Sequence, residues 1–348
     1  MLVQWNETVL VTGAAGFIGP SVIRTLLKEG FRNLRLFVRS EGGSSAIQEI
    51  ISTCGTFAQI EVFQGDLVSP DDCVAAARGA AVVYHLAVGT GGKSFADLFM
   101  NSVLTTRNLL EACVAQRCLK RFVNLSSFAV YTNCQKPLGN VLDESCPVED
   151  DPVQRGDAYC FAKIKQDEIV MEYGRKHAIP YVIVRPGVVY GPGKTEITGR
   201  VGIGTFGLFL HLGGANRVPL TYVDNCAAAI VLAGITEGID GEIFNIVDDD
   251  LPTSRKILQL YKKNVKRIQS ICIPRPVSYL LFCLWEEYSR WSRGQLPPTF
   301  NRRAWHAYWK GSGYSNGKIK KLGWAPSVST VDGLSRYFEN CRREEHHA

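Results

Sequence analysis

Tyr159 and Lys163, in "YCFAK", stand four residues apart, a spacing that puts both on one face of a helix. A phenol at its ordinary pKa of about 10 is a poor base at neutral pH. An ammonium group one turn away favours the phenolate and brings it toward a working range. Ser127 closes the run "RFVNLSS" and can hold a substrate oxygen through its hydroxyl. Together the three residues can move a proton while a hydride passes between a carbinol carbon and a nicotinamide, whose ribose Lys163 can also bond. A Tyr and a Lys at this spacing occur on many helices for no catalytic reason, so the surrounding elements must carry the argument.

The first such element is "TVLVT" followed at once by "GAAGFIG", with Gly13, Gly16 and Gly19 ahead of an amphipathic segment. Glycines there let the backbone turn tightly and approach a pyrophosphate at a helix N-terminus, with Ala15, Phe17 and Ile18 between them. The first gap is one residue longer than in the G-x-G-x-x-G fingerprint. Asp66-Leu67 follows the third apolar run, where a carboxylate can accept from an adenine amine. Leu86-Ala87 ends the fourth, after His85, and Asn101 lies in the next helical stretch. Taken singly, these read as a capping Asp, a core His and a surface Asn. Their order is what joins them. The second run ends in Arg39-Ser40 rather than in an acid that would hold a ribose 2′-hydroxyl. Arg39 suits a 2′-phosphate, so NADP is expected over NAD.

Seven short apolar runs alternate with helical spacing: 8–12, 34–38, 60–64, 81–87, 121–127, 181–185 and 242–247. Their continuous hydrophobicity fits a parallel sheet buried on both faces, so the fold class expected is α/β, a doubly wound Rossmann sheet. Residues 1–191 and 220–250 would form the nucleotide-binding domain. Residues 192–219 and 251–340 would form a smaller C-terminal substrate lobe, and 341–348 a solvated tail. Within 192–219 the Gly-rich sequence reads as loop plus one helix start. Beyond Leu251 the chain reads as helical, with no clear β run.

Composition narrows the class. In 348 residues, hydrophobic residues are 46% and charged residues 21%, near globular averages. A net charge of +6 without a Lys/Arg block gives nucleic-acid binding nothing to rest on. The eleven cysteines include no C-x-x-C or His-paired spacing, so no metal site is expected, and Cys73, Cys113 and Cys226 fall in apolar runs as small hydrophobes. With no secretory pattern at its start, the chain is expected to be reduced and cytoplasmic. "VSYLLFCLW" (277–285) is too short to span a bilayer, which leaves peripheral association open.

The ordered motifs "TGAAGFIG", "GDL", "HLA", "LSSFAVY", "YCFAK" and "RPGVVYGPG", with "TYVDNCAAA" beyond them, resemble the extended short-chain dehydrogenase/reductase family, that is, the NAD-dependent epimerase/dehydratase superfamily. The resemblance implies a Rossmann domain with a small substrate lobe, a homodimer and a Ser–Tyr–Lys catalytic group. It places the catalytic serine on Ser127, four residues before Tyr131, rather than on Ser126. Pro186 and Gly187, followed by Val188 and Val189, fall where the family lines the nicotinamide. A family asparagine matches Asn101.

Within the family three readings compete. "RPGVVYGPG", "YVDN", "PRPVSYLL" and "YSNGKIKKLGWAP" resemble the 3β-hydroxysteroid dehydrogenase-like branch, which interconverts a secondary alcohol and a ketone. The aromatic-rich lobe, with Tyr279, Leu280, Phe282, Trp285 and Trp291, suits a hydrophobic substrate or packs its own core. A nucleotide-sugar epimerase would use the same three residues, with Arg217, Arg302 and Arg303 as diphosphate ligands, although Arg217 is one residue off the family position. A 4,6-dehydratase needs an Asp-Glu pair where Phe128 and Ala129 stand. A non-enzymatic nucleotide sensor would commonly lose the Tyr or the Lys. Ser127, Phe128, Arg217 and Arg302 are the candidate substrate contacts.

Overall fold

In the computed structural model, which describes residues 1–54, 58–89, 94–134, 139–293 and 295–347, the seven apolar runs all become strands. They are β1 (Thr8–Thr12), β2 (Asn33–Val38), β3 (Gln59–Gln64), β4 (Ala80–His85), β5 (Arg121–Leu125), β6 (Tyr181–Pro186) and β7 (Ile243–Ile246). All pair in parallel, in the order β7-β6-β5-β4-β1-β2-β3. The order reverses at β1/β4, so a crevice opens above the carboxyl ends of those two strands, where such sheets bind ligands.

Side chains alternate between the two faces of each strand, and both faces are covered except at the edge strand β3, where Gln59, Glu61 and Gln64 are exposed. Val9, Val11, Val82, Tyr84, Val182 and Val184 join one core cluster, against the helices Gly19–Lys28 and Val223–Ile235. Leu10, Val83, Phe122 and Ile183 face the other, against Pro70–Ala77, Thr105–Val114 and Ala158–His177. A third cluster combines residues 201–223 and 251–341 with Phe128, Tyr131, Leu142 and Cys160. The C-terminal segments therefore share a packing unit with the helix that bears Tyr159. Cys73, Cys113 and Cys226 are buried, and burial pushes each thiol pKa up, that of Cys73 to about 12.

Two expectations for the C-terminal part need correction. Residues 192–219 hold no helix start. They form a hairpin, Gly202–Thr205 with Leu208–His211, turned by Phe206 (φ 45°) and Gly207 (φ 76°). Positive φ at both turn positions matches the twist of the flanking strands. Beyond Leu251 the chain is not wholly helical. Gln269–Cys272 adds a parallel strand to that hairpin, and Gly313–Tyr314 pairs with Val141–Leu142. Both are short edge strands whose partners are remote in sequence, so neither leaves a periodicity to read. Residues 342–345 of the expected tail are exposed, on the end of the helix Thr330–His347, with only Ala348 outside the described residues. Leu334, Tyr337, Phe338 and Cys341 are buried along one stripe at i, i+3, i+4 and i+7.

Candidate functional site

β1 ends at Thr12 and the chain turns through Gly13, whose φ of 68° is in the left-handed region. A Cβ on Gly13 would lie 2.8 Å from the Ala87 nitrogen, and one on Gly19 only 2.1 Å from the Ala14 carbonyl oxygen. The helix Gly19–Lys28 starts there with Pro20 in its first turn, and its positive end favours an anion. This turn forms one wall of a cavity of about 690 Å³ that runs across the carboxyl ends of β1, β2, β4, β5 and β6.

Gly13, Ala15, Gly16, Phe17, Ile18 and Gly19 line the cavity at one end, with Arg39, Ser40, Asp66 and Leu67. Leu86, Ala87 and Asn101 line its middle. Ser127, Tyr159, Lys163, Pro186, Gly187 and Val189 line the other end. Of the expected cofactor-side residues only Val188 lies elsewhere, in an adjoining cavity of about 230 Å³. Gly187 has no room for a side chain, because a Cβ would stand 2.2 Å from the Pro219 carbonyl oxygen. Asn101 sits on a π-helical stretch, Phe99–Leu104, a local widening often found at functional sites. Arg39 is exposed and forms no ion pair among the described residues. His85 is a core residue, bonded through Nδ1 to Thr12 and through Nε2 to Thr106, and burial lowers its pKa to about 3.

The helix Ala158–His177 is started by Asp157, whose carboxylate accepts from the Cys160 N–H at 2.9 Å. That cap fixes the first turn and with it Tyr159, which is 39% exposed and faces the cavity. One turn on, Lys163 is buried and its ammonium donates to the Leu125 carbonyl at 2.6 Å. Burial lowers its pKa to about 8, against a raising influence from Asp167. Ser127 extends from β5 and its hydroxyl accepts from the Ala129 N–H at 3.1 Å.

The expectation that Lys163 draws the Tyr159 phenol toward neutral pH is not realised. Desolvation raises the phenol above its ordinary value, Ser127 partly offsets this, and Asp157 and Asp167 add to the rise. The Lys163 ammonium is turned to a backbone carbonyl instead.

The substrate candidates divide. Ser127 lines the cleft, whereas Phe128 is buried between Tyr131 and Tyr314. Arg217 donates to the Leu251 carbonyl and lines none of the cavities described. Arg302 is held by Glu286 and Glu287, and Arg303 by Glu149 and Asp150. Tyr279 and Phe282 pack with Trp305 and Trp309 in a core of their own, Trp285 stacks edge-on against Phe300, and Leu280 and Trp291 are exposed.

Sequence reasoning missed a buried group on the inner face of the helix that bears Tyr159. Asp167, one turn after Lys163, accepts from Asn124 at 2.9 Å, from Ser126 at 2.8 Å and from Arg185 at 2.9 Å. Arg185 in turn lies over the Tyr131 ring. The i+4 spacing from Lys163 was the available signal. Lys194 was missed as well. It borders all three cavities and stands 5.3 Å over the Phe17 ring, yet nothing in "GPGK" distinguishes it from an ordinary loop lysine.

Comparison with known proteins settles the family. Residues 9–246 match the model of the NAD dependent epimerase/dehydratase family. The chain belongs to that family. The match agrees with the extended short-chain dehydrogenase/reductase group that its motifs imply. A 3 beta-hydroxysteroid dehydrogenase/Delta 5-->4-isomerase of Mycobacterium tuberculosis is 32% identical over 194 residues, covering 53% of this family member and 48% of that protein. A dihydroflavonol 4-reductase of Dianthus caryophyllus is 26% identical over 194 residues, 54% of this chain and 53% of that one. The chain thus spans about half the length of these curated relatives. Among solved structures, a UDP-glucuronic acid 4-epimerase from Bacillus cereus in complex with NAD superposes with a TM-score of 0.71 at 22% identity, over 97% of this chain and 99% of that one. At that identity the likeness establishes the Rossmann fold and no more.

Proposed function

We propose that this family member is an NADPH-dependent oxidoreductase that interconverts a hydrophobic ketone and its secondary alcohol, with Ser127, Tyr159 and Lys163 as the catalytic group. The observation that carries this reading is the cavity of about 230 Å³ that adjoins the cleft. Val188, Val189, Ile197, Leu220, Ile257 and Leu334 line most of it with Tyr190, Tyr261 and Tyr337; Lys194, Glu196 and Thr198 are its polar members, and it shares Val189 and Lys194 with the cleft. A nucleotide sugar would need cations for its diphosphate; Arg217, Arg302 and Arg303 are engaged elsewhere, which leaves Lys194 at the cavity edge. An apolar substrate gains by leaving water for such a lining.

The cleft fits a dinucleotide, because its Gly-turn leaves no room for side chains where a pyrophosphate would approach. Gly13, Gly16 and Gly19 would hold the diphosphate, Arg39 and Ser40 the 2′-phosphate, and Pro186 and Gly187 would back the nicotinamide. A bound nicotinamide supplies or takes the hydride at the substrate carbon. Ser127 donates a hydrogen bond to the substrate oxygen and fixes it beside the Tyr159 hydroxyl. Tyr159, its pKa raised, is a neutral phenol at pH 7 and gives its proton to the oxygen as the carbonyl is reduced. Lys163 puts a positive charge on the same helix face, where the resulting phenolate needs it. In the alcohol-oxidising direction the same oxygen takes the proton, as phenolate.

The test starts with denaturation of the purified protein and identification of released nucleotide by mass spectrometry. NADPH and NADH titrations follow, and then a ketone panel with wild type and Tyr159→Phe. NADPH preference, with turnover lost and NADPH affinity kept in Tyr159→Phe, is the expected result. Tightly retained NAD⁺, or undiminished turnover in Tyr159→Phe, would overturn the assignment.

A further inference from the structure

The helix Arg275–Trp291 carries a second apolar face that nothing in the fold covers. Val277, Leu280, Leu281, Leu284, Tyr288 and Trp291 are each 47–76% exposed. At 3.6 residues per turn these six fall within an arc of about 100° that contains no charged residue. The opposite face, through Ser278, Phe282 and Ser289, is buried against the Trp305–Trp309 core. Ile271, 54% exposed on the strand just before the helix, extends the surface. It is paired with Leu210, which is paired in turn with Ile203, a neighbour of that same aromatic core. Isolated exposed apolar residues are ordinary, but a contiguous stripe along 17 residues of helix marks an interaction surface.

Charge identifies the occupant. Residues 255–310 carry twelve Lys/Arg against two Glu, a net of +10 in a chain whose total is +6. Both Glu, 286 and 287, are already paired with Arg290 and Arg302. Arg275 and Arg293 bracket the apolar stripe at its two ends, and Arg267 precedes the strand of Ile271. None of these three forms an ion pair among the described residues. Arginines at the ends of an apolar helix face can reach headgroup phosphates while their stems lie on hydrocarbon. Tyr288 and Trp291, stacked at 5.7 Å, are of the types that gather at a membrane interface. A second copy docked on a two-fold axis would bring one basic segment against another. No described helix is long and apolar enough to cross a bilayer, so the geometry is that of a helix lying in the surface plane.

We infer that the helix Arg275–Trp291 docks the protein on an anionic bilayer surface, its apolar stripe in the headgroup–acyl boundary and its flanking arginines on lipid phosphates. The test is flotation with phosphatidylcholine vesicles, with and without phosphatidylglycerol, for wild type and for Leu281→Asp/Leu284→Asp. Both replaced residues point to solvent, and far-UV circular dichroism with an NADPH titration checks that the fold is kept. Wild type should float only with the anionic vesicles, and high salt should release it. The double variant should partition at least about tenfold less, since each lost leucine removes apolar burial. Failure of wild type to float, or unchanged flotation of the variant, would overturn the inference. So would a stable wild-type dimer that the variant dissociates and that binds no vesicle, which would assign the stripe to a second copy.

Discussion

Replacing Arg39 by Ala should weaken NADPH and leave NADH nearly untouched. Arg39 follows β2 directly, lines the end of the cleft proposed to take the adenine, and forms no ion pair elsewhere among the described residues. A guanidinium–phosphate contact is charge-assisted and contributes about 1.5–3 kcal/mol. Arg39 is exposed, so salt and water screen it and the low end applies. About 1.5 kcal/mol corresponds to roughly a tenfold rise in Kd for NADPH. NADH lacks the 2′-phosphate and should shift by less than about twofold, because only packing over the adenine is lost. Arg39→Asp should go further, repelling the phosphate and offering an acceptor to a ribose 2′-hydroxyl. Nicotinamide fluorescence titrations at low and moderate salt measure both constants, and the NADPH advantage of wild type should shrink as salt rises. Equal loss for the two cofactors would mean that Arg39 acts through the fold of the loop. No loss for NADPH, or a wild type that prefers NADH, would refute the reasoning outright.

Other consequences follow from the same geometry. Asp167→Ala strands the buried Arg185 guanidinium and should cost about 3–5 kcal/mol in urea unfolding, and Asp167→Asn less; stability within 1 kcal/mol of wild type for Asp167→Ala would show the pair to be dispensable. Lys163 has its pKa lowered to about 8 by burial, so its ammonium is present below that pH and lost as pH rises through it. Ketone reduction should therefore fall above about pH 8, and a profile flat to pH 10 would show that the lysine keeps an ordinary pKa. Gly19→Ala meets the Ala14 carbonyl at 2.1 Å, whereas a Cβ on Gly16 has its nearest neighbour at 3.1 Å. NADPH affinity should drop far more in Gly19→Ala than in Gly16→Ala, and equal effects would argue against a steric origin.

Much of the molecule is legible before any coordinates. The sheet is written as seven apolar runs, because strands buried on both faces must be apolar throughout; only β3, at the sheet edge, alternates with exposed Gln59, Glu61 and Gln64. The Gly-turn is written as glycines, because at Gly13 and Gly19 no side chain fits. Tyr159 and Lys163 are readable because a helix converts a four-residue spacing into a shared face. What the chain could not disclose depends on groups distant in sequence. The pKa of Tyr159 goes up rather than down because its phenol is desolvated at the cleft wall, beside Asp157 and Asp167, and because Lys163 is turned to a backbone carbonyl. Arg302 and Arg303 look like diphosphate ligands until Glu286, Glu287, Glu149 and Asp150 fold against them. The 277–291 stretch reads equally well as core or surface, since periodicity fixes two faces of a helix and not which one the rest of the protein covers. Local chemistry and local backbone demands are carried by neighbours in the chain. Electrostatic environment, and the choice of which face to bury, belong to contacts that only the tertiary structure brings together.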